Sequence, residues 1–205
     1  MPRCLNKNCR EKFEPKRFLQ KFCNKEECQI EERTQIALKN LQVIKKEKTL
    51  NMKISAYSKK HKNVLQDEIN KLARMIDLKF YTTCIDCGRT LKDDIHGSHY
   101  NNVGGNENIR YNLHNIHAST GQCNTHKNGN KQGYFQGLKE RYIEEYAEYV
   151  HFELNKKYKS SHFTEKQIYD TIPIVRKLIR EFETFVFTDP IHARTSLNNV
   201  IGLYK

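Results

Sequence analysis

Seven cysteines and a cluster of histidines carry most of the chemistry that can be read from this chain. Cys4 and Cys9 enclose four residues, as do Cys23 and Cys28, with a short loop between the pairs. Four thiolates presented this way can surround Zn²⁺ tetrahedrally. Residues 1–30 hold few apolar side chains, so a structural zinc would supply the folding energy that a core cannot. Phe13, Phe18 and Phe22 are the expected apolar cover. A second group lies downstream. Cys84-x2-Cys87 has the spacing of a zinc knuckle, and Cys123-x2-His126 would share one face of a short helix. Together they could form a Cys3His brace, with His117 as the alternative fourth ligand. His96, His99, His114 and His117 fall between these halves, in a stretch rich in Asn and Gly. Such a composition makes a poor core and a good site.

The elements that must position these groups follow from periodicity. Apolar residues at Ile30, Ile36 or Ala37, Leu41 and Ile44 predict a helix over 29–50, followed by a basic linker over 51–62. Leu65, Ile69, Leu72 and Ile76 predict a second helix over 63–78. Residues 80–91 read as strand, knuckle, strand, and Gly104, Gly105 and Asn106 as a loop. A short helix is expected from Cys123, and a longer one over 134–158. Thr164 and Gln167 form a capping box for another, whose stripe runs from Ile168 to Val186 with a kink at Pro173. The tail from Asp189 has no assignable pattern. The resulting division is 1–30, 31–62, 63–135 and 136–205.

Charge narrows the partner. The 205 residues carry a net charge of +12. Residues 1–62 hold 17 basic and 7 acidic side chains, residues 63–205 hold 19 and 17. A basic N-terminal third points to a polyanion, most simply DNA. Lys39, Lys45, Lys46 and Lys48 on the predicted helix, Lys59 and Lys60 after it, and Lys127 beside the histidines are the candidate phosphate contacts. At 37% hydrophobic and 29% charged residues, with no run of about 20 apolar residues, a membrane protein is excluded. The first residues lack the apolar stretch of a secretory signal. The expected setting is the cytoplasm, where clustered thiols bind metal rather than pair.

The string CIDC…HGSHY…RYNLHNIHASTGQCNTHKNGN resembles an HNH, or ββα-metal, nuclease module. With the N-terminal cysteine pairs, the basic stretch and the helix Leu65-Gln66…Asn70…Arg74…Asp77, residues 3–150 resemble the phage-type NinG/Rap recombination endonucleases. The resemblance implies an α+β fold: a small zinc-ribbon-like N-terminal element, a ββα-metal (HNH/His-Me finger) core and flanking helices. It implies a metal-dependent DNA endonuclease acting on branched recombination intermediates, Holliday junctions and D-loops, in the cytoplasm of a bacterial host. Other recombination proteins would be possible partners. His99, ending the second strand, would be the general base. Asn115 would hold the loop and orient its ring. Asn124 and Asn128 would bind a catalytic Mg²⁺ or Mn²⁺. His96 stands where some relatives carry an acidic residue and would be a further ligand. Thr120 replaces a cysteine of the family's second knuckle, so one or two structural zinc ions are expected. The contrasting readings are a zinc-dependent nucleic-acid binder without catalysis and an HNH endonuclease on linear duplex.

Overall fold

The computed structural model describes residues 1–126 and 130–204, with all their side chains except those of Lys53, Ile54, Ala56 and His126. Lys127 and Asn128, and the side chain of His126, therefore lie outside the described residues. The chain divides into two compact units, Met1–Tyr57 and Ser58–Lys205. The architecture is mixed α and β, with a single two-stranded sheet among the described residues.

The N-terminal unit is built around its cysteines. Arg3 and Lys12 form one antiparallel bridge. Cys4 N donates to Glu11 O and Leu5 N to Lys21 O, which brings the two cysteine loops together. Phe13 and Phe22 are buried against the thiols, but Phe18 is 94% exposed and covers nothing. Helix α1, Glu26–Phe80, starts at this cluster and runs on into the second unit. The two helices and linker expected over 29–78 are thus one helix. No Pro or Gly occurs between Glu26 and Phe80. The basic residues of 51–62 are good helix formers and do not interrupt it. The stripe expected to pack is open instead: Ile30, Leu41 and Ile44 are all more than half exposed.

In the C-terminal unit, Leu65, Ile69, Leu72, Ala73 and Ile76 of α1 form the buried spine. Phe80 ends α1, and residues 82–91 form a tight knuckle with one bridge, Thr83 to Thr90, rather than two strands. Strands β1 (Ile95–His99) and β2 (Ile116–Thr120) pair antiparallel, Ile95 opposite Thr120 and His99 opposite Ile116. His99 therefore ends the first strand of the hairpin, not the second. Helix α2, Gly121–His126, follows β2 directly. The stretch expected as one helix over 134–158 is broken into α3 (Lys131–Arg141), α4 (Glu144–Glu148), a π-helical turn (Tyr149–Glu153) and α5 (Leu154–Lys157). The break falls at Tyr142, whose backbone is extended. Gly137 of α3 lies against the Ile85 carbonyl, where a Cβ would stand 1.9 Å from the oxygen.

Helix α6, Glu165–Arg180, carries the predicted capping box. Pro173 sits inside it without ending it, on the exposed side. The stripe stops at Phe182 in a short 3₁₀ turn, and Val186 is exposed. The tail without assignable pattern is a helix, α7, Pro190–Ile201. It is capped by Asp189, which accepts from His192 N, and ended by Gly202 at φ 75°. Ala193, Leu197 and Ile201 of α7 join α1 and α6 in the main core. Arg194 of α7 is fully buried and pairs with the equally buried Asp77 of α1. Its Nη1 also donates to the Leu113 and Ile116 carbonyls. Asp77 in turn accepts from Ala118 N at 2.5 Å. One ion pair thus ties α7, α1 and β2 together. No helix among the described residues is long and apolar enough to cross a membrane.

Candidate functional site

The Sγ atoms of Cys4, Cys9, Cys23 and Cys28 lie within 4.8 Å of one another. Cys23 N donates to Cys4 Sγ at 3.3 Å and Asn6 Nδ2 to Cys28 Sγ at 3.4 Å, the polar support that thiolates need. Burial, with hydrogen bonds from the other thiols, pushes Cys28 up to about 12. Four such sulfurs cannot all ionise together at neutral pH without a cation between them. The donor set fits zinc. Cys84, Cys87 and Cys123 form a second cluster within the same 4.8 Å. Burial raises the Cys87 thiol, but hydrogen bonds from the Arg89 side chain and backbone outweigh this and bring it to about 7. Arg89 Nε lies 3.4 Å from that sulfur. Thr120 sits among the three: its N–H donates to Cys84 Sγ at 3.3 Å, and its hydroxyl accepts from Cys123 N at 3.3 Å. Both cysteine clusters could hold zinc.

His117 is not the fourth ligand of this second cluster. Odd and even positions of a strand face opposite ways. Ala118 and Thr120 of β2 turn toward the cysteines, so His117 turns away. Its ring is fully buried between Tyr134 and Tyr142, with Nδ1 2.9 Å from the Tyr134 hydroxyl. Burial, then the Arg194 and Arg141 charges, hold it well below the usual imidazole range.

His99 closes β1 against α1. Its Nε2 lies 3.0 Å from the Arg110 carbonyl and 3.2 Å from Gln66 Nε2. Gln66 Oε1 accepts from Arg110 Nε at 2.9 Å, and Gln66 Nε2 donates to Asn70 Oδ1 at 2.8 Å. Gly97 permits this approach, because a Cβ there would stand 2.9 Å from Asn70 Cβ. Burial lowers the His99 pKa, the Arg110 carbonyl opposes it and the Arg110 charge adds to it. The ring is neutral at pH 7.

Asn115, completely buried, staples the loop between the strands. Its Oδ1 accepts from Asn101 N at 2.8 Å and its Nδ2 donates to Asn101 O at 3.0 Å. It makes no hydrogen bond to the His99 ring. Its hold on that ring runs through the backbone of the loop, which presents the Arg110 carbonyl. Asn124, on α2, meets His96 instead, Nδ2 to Nδ1 at 3.1 Å. His96 Nε2 lies 2.9 Å from Asp94 Oδ1. His96 and His99 are three apart on one strand and face opposite ways. Among the described residues no hydrogen bond joins the His99 group to the Asn124 group. Lys39, Lys45, Lys46 and Lys48 are exposed on α1 in the N-terminal unit, and Lys59 and Lys60 are exposed on it in the C-terminal unit.

A family model described as the bacteriophage lambda NinG protein matches residues 1–184. The chain belongs to the NinG family. No curated protein and no solved structure matches it. The match spans both cysteine clusters and the hairpin with α2, and ends before α7. Sequence reasoning missed Gln66 and Arg110 as partners of His99, and Asp94 as a partner of His96. For Gln66 and Asn70 a signal existed: both stand in the helix motif that carries the family resemblance. Arg110 opens the RYNLHN part of the family string, but nothing there marks a contact with His99, and for Asp94 there was no signal, because only the folded loops bring these two to the histidines.

Proposed function

We propose that this NinG-family chain is a metal-dependent DNA endonuclease acting on branched recombination intermediates, Holliday junctions and D-loops. One arrangement carries the reading. A partly buried neutral histidine ends the first strand of a hairpin, a buried asparagine staples the intervening loop, and a helix bearing Asn124 follows the second strand at once. The order of strand, stapled loop, strand and helix is the one a ββα-metal core requires; on the hairpin it is His96 that shares a face with Asn124, while His99 turns to α1. The Arg110 carbonyl can only accept, so it selects the His99 tautomer with the proton on Nε2. Nδ1 then keeps the lone pair and takes a proton from the attacking water. The Arg110 carbonyl fixes the ring, Gln66 holds Arg110 through its Nε, and Asn115 fixes the loop, so little reorganisation is needed at the moment of attack. Asn124, with Asn128, would hold Mg²⁺ or Mn²⁺, which supplies positive charge at the scissile phosphate. The exposed lysines of α1 would meet the DNA backbone, which fixes position rather than sequence.

The test is cleavage of labelled four-way junction and linear duplex, with and without EDTA. EDTA-sensitive cutting that favours the junction is expected. His99→Ala should reduce it about 10²–10⁴-fold while binding is retained. Equal cutting of duplex would leave an HNH enzyme without junction preference. Binding without cutting by the wild type would overturn the catalytic reading in favour of a zinc-dependent binder.

A further inference from the structure

His96 stands at the place where a metal ligand was expected, but its two nitrogens are already used. Nε2 faces the Asp94 carboxylate at 2.9 Å. A carboxylate only accepts, so in the neutral ring Nε2 carries the proton and Nδ1 is the acceptor. Asn124 approaches Nδ1 at 3.1 Å and can satisfy it only with its NH₂ group. That turns Asn124 Oδ1 away from the ring. No lone pair of His96 is left for an ion. The Asp94 carboxylate, though largely exposed, lies against the start of α2. Asp94 O accepts from Gly121 N at 3.0 Å, and a Cβ at Gly121 would stand 1.9 Å from Asp94 Oδ2. Glycine at the start of α2 leaves room for the Asp94 carboxylate at this place.

We propose that Asp94 and His96 form a positioning relay that presents the Asn124 amide oxygen to a divalent cation, and that His96 is not itself a ligand. The identity of the cation as Mg²⁺ or Mn²⁺ rests on the nuclease reading; the relay rests on the hydrogen bonds. Hard cations take amide oxygens. A hydrogen bond to the amide NH₂ polarises the carbonyl and locks its direction, as partners behind a ligand do in metal sites generally. Without the relay the amide rotates freely, and its oxygen loses both its fixed direction and its polarisation.

The experiment is Mn²⁺ titration of the full-length, zinc-loaded chain without DNA, with free Mn²⁺ read by electron paramagnetic resonance. Mn²⁺ does not compete with zinc for thiolates. Asn124→Ala should abolish the site. His96→Ala and Asp94→Asn should each weaken binding about tenfold, with zinc content and circular dichroism unchanged. The deciding variant is Asn124→Asp, whose carboxylate offers an oxygen in either orientation. In that background, adding His96→Ala should cost almost nothing. An equal cost in both backgrounds overturns the relay, since a direct ligand or a merely structural residue would behave so. An unchanged affinity in His96→Ala, or no saturable Mn²⁺ binding by the wild type, also overturns it. Cleavage is scored separately. The expected Mn²⁺ pattern without DNA cutting defeats the nuclease reading alone, and cutting without the pattern defeats the relay alone.

Discussion

Arg194→Met should be among the most damaging single changes in the C-terminal unit, although the residue lies outside the segment that matches the family. The substitution keeps the aliphatic stem and removes the guanidinium. Three interactions go with it: the pair with Asp77 and the bonds to the Leu113 and Ile116 carbonyls. Asp77 is left as a buried charge, still held by Ala118 N and by the Tyr142 hydroxyl at 3.4 Å. Breaking a buried pair from one side costs about 3–5 kcal/mol. With a urea slope of about 2 kcal/mol/M, the midpoint should fall by roughly 1.5–2.5 M. The chain has no tryptophan, and Tyr100, Tyr111, Tyr134 and Tyr146 are all buried in this unit. Near-ultraviolet circular dichroism of the tyrosines therefore reports the right transition. Adding Asp77→Asn removes the stranded charge, keeps an acceptor for Ala118 N, and should recover about 1–3 kcal/mol. A midpoint shift under about 0.5 M for Arg194→Met at unchanged slope would refute the account of α7 as an electrostatic clamp on the hairpin.

The same unit should lose stability on acidification. His99, His114 and His117 are all depressed by burial, His114 to about 3. Their unfolded forms take up a proton near pH 6.5, while the folded forms do not. Stability is thus full above that pH. It should decline by up to about 1.4 kcal/mol per pH unit for each histidine until its folded pKa is reached. Urea midpoints at pH 7 and 5 check this, and a flat profile rules it out. Metal analysis of freshly purified protein should return zinc at both cysteine clusters. Cys4→Ser and Cys84→Ser should each remove one ion, and protein with no zinc at all refutes both sites. Replacing Lys45, Lys46 and Lys48 by Glu should flatten the log–log salt dependence of DNA binding by about 0.9 for each phosphate no longer neutralised. An unchanged slope would mark them as solvated side chains.

The parts of this protein legible in its sequence were those whose physics is local. Thiol spacing announced both cysteine clusters, because a knuckle is closed by the residues that form it. The α6 cap was readable at Thr164 and Gln167 for the same reason. The family string carried His99, Asn115 and Asn124, each of which sits in or beside the hairpin and its helix. Folding decided what depended on distant partners. The apolar stripe of Ile30, Leu41 and Ile44 looked like a packed face, yet periodicity cannot say whether a partner arrives, and here that face stays open. His117 had the right type and the right distance along the chain for a zinc ligand. Strand parity turned it into a tyrosine-lined core instead, since a one-residue step on β2 reverses the face. Arg194 is one of the 36 basic residues in the sequence, and only its meeting with Asp77, 117 positions away, makes it a structural pin. Asp94 and His96 are near neighbours in the chain. Their alignment with Asn124 exists only because β1 pairs with β2 and α2 begins where β2 ends.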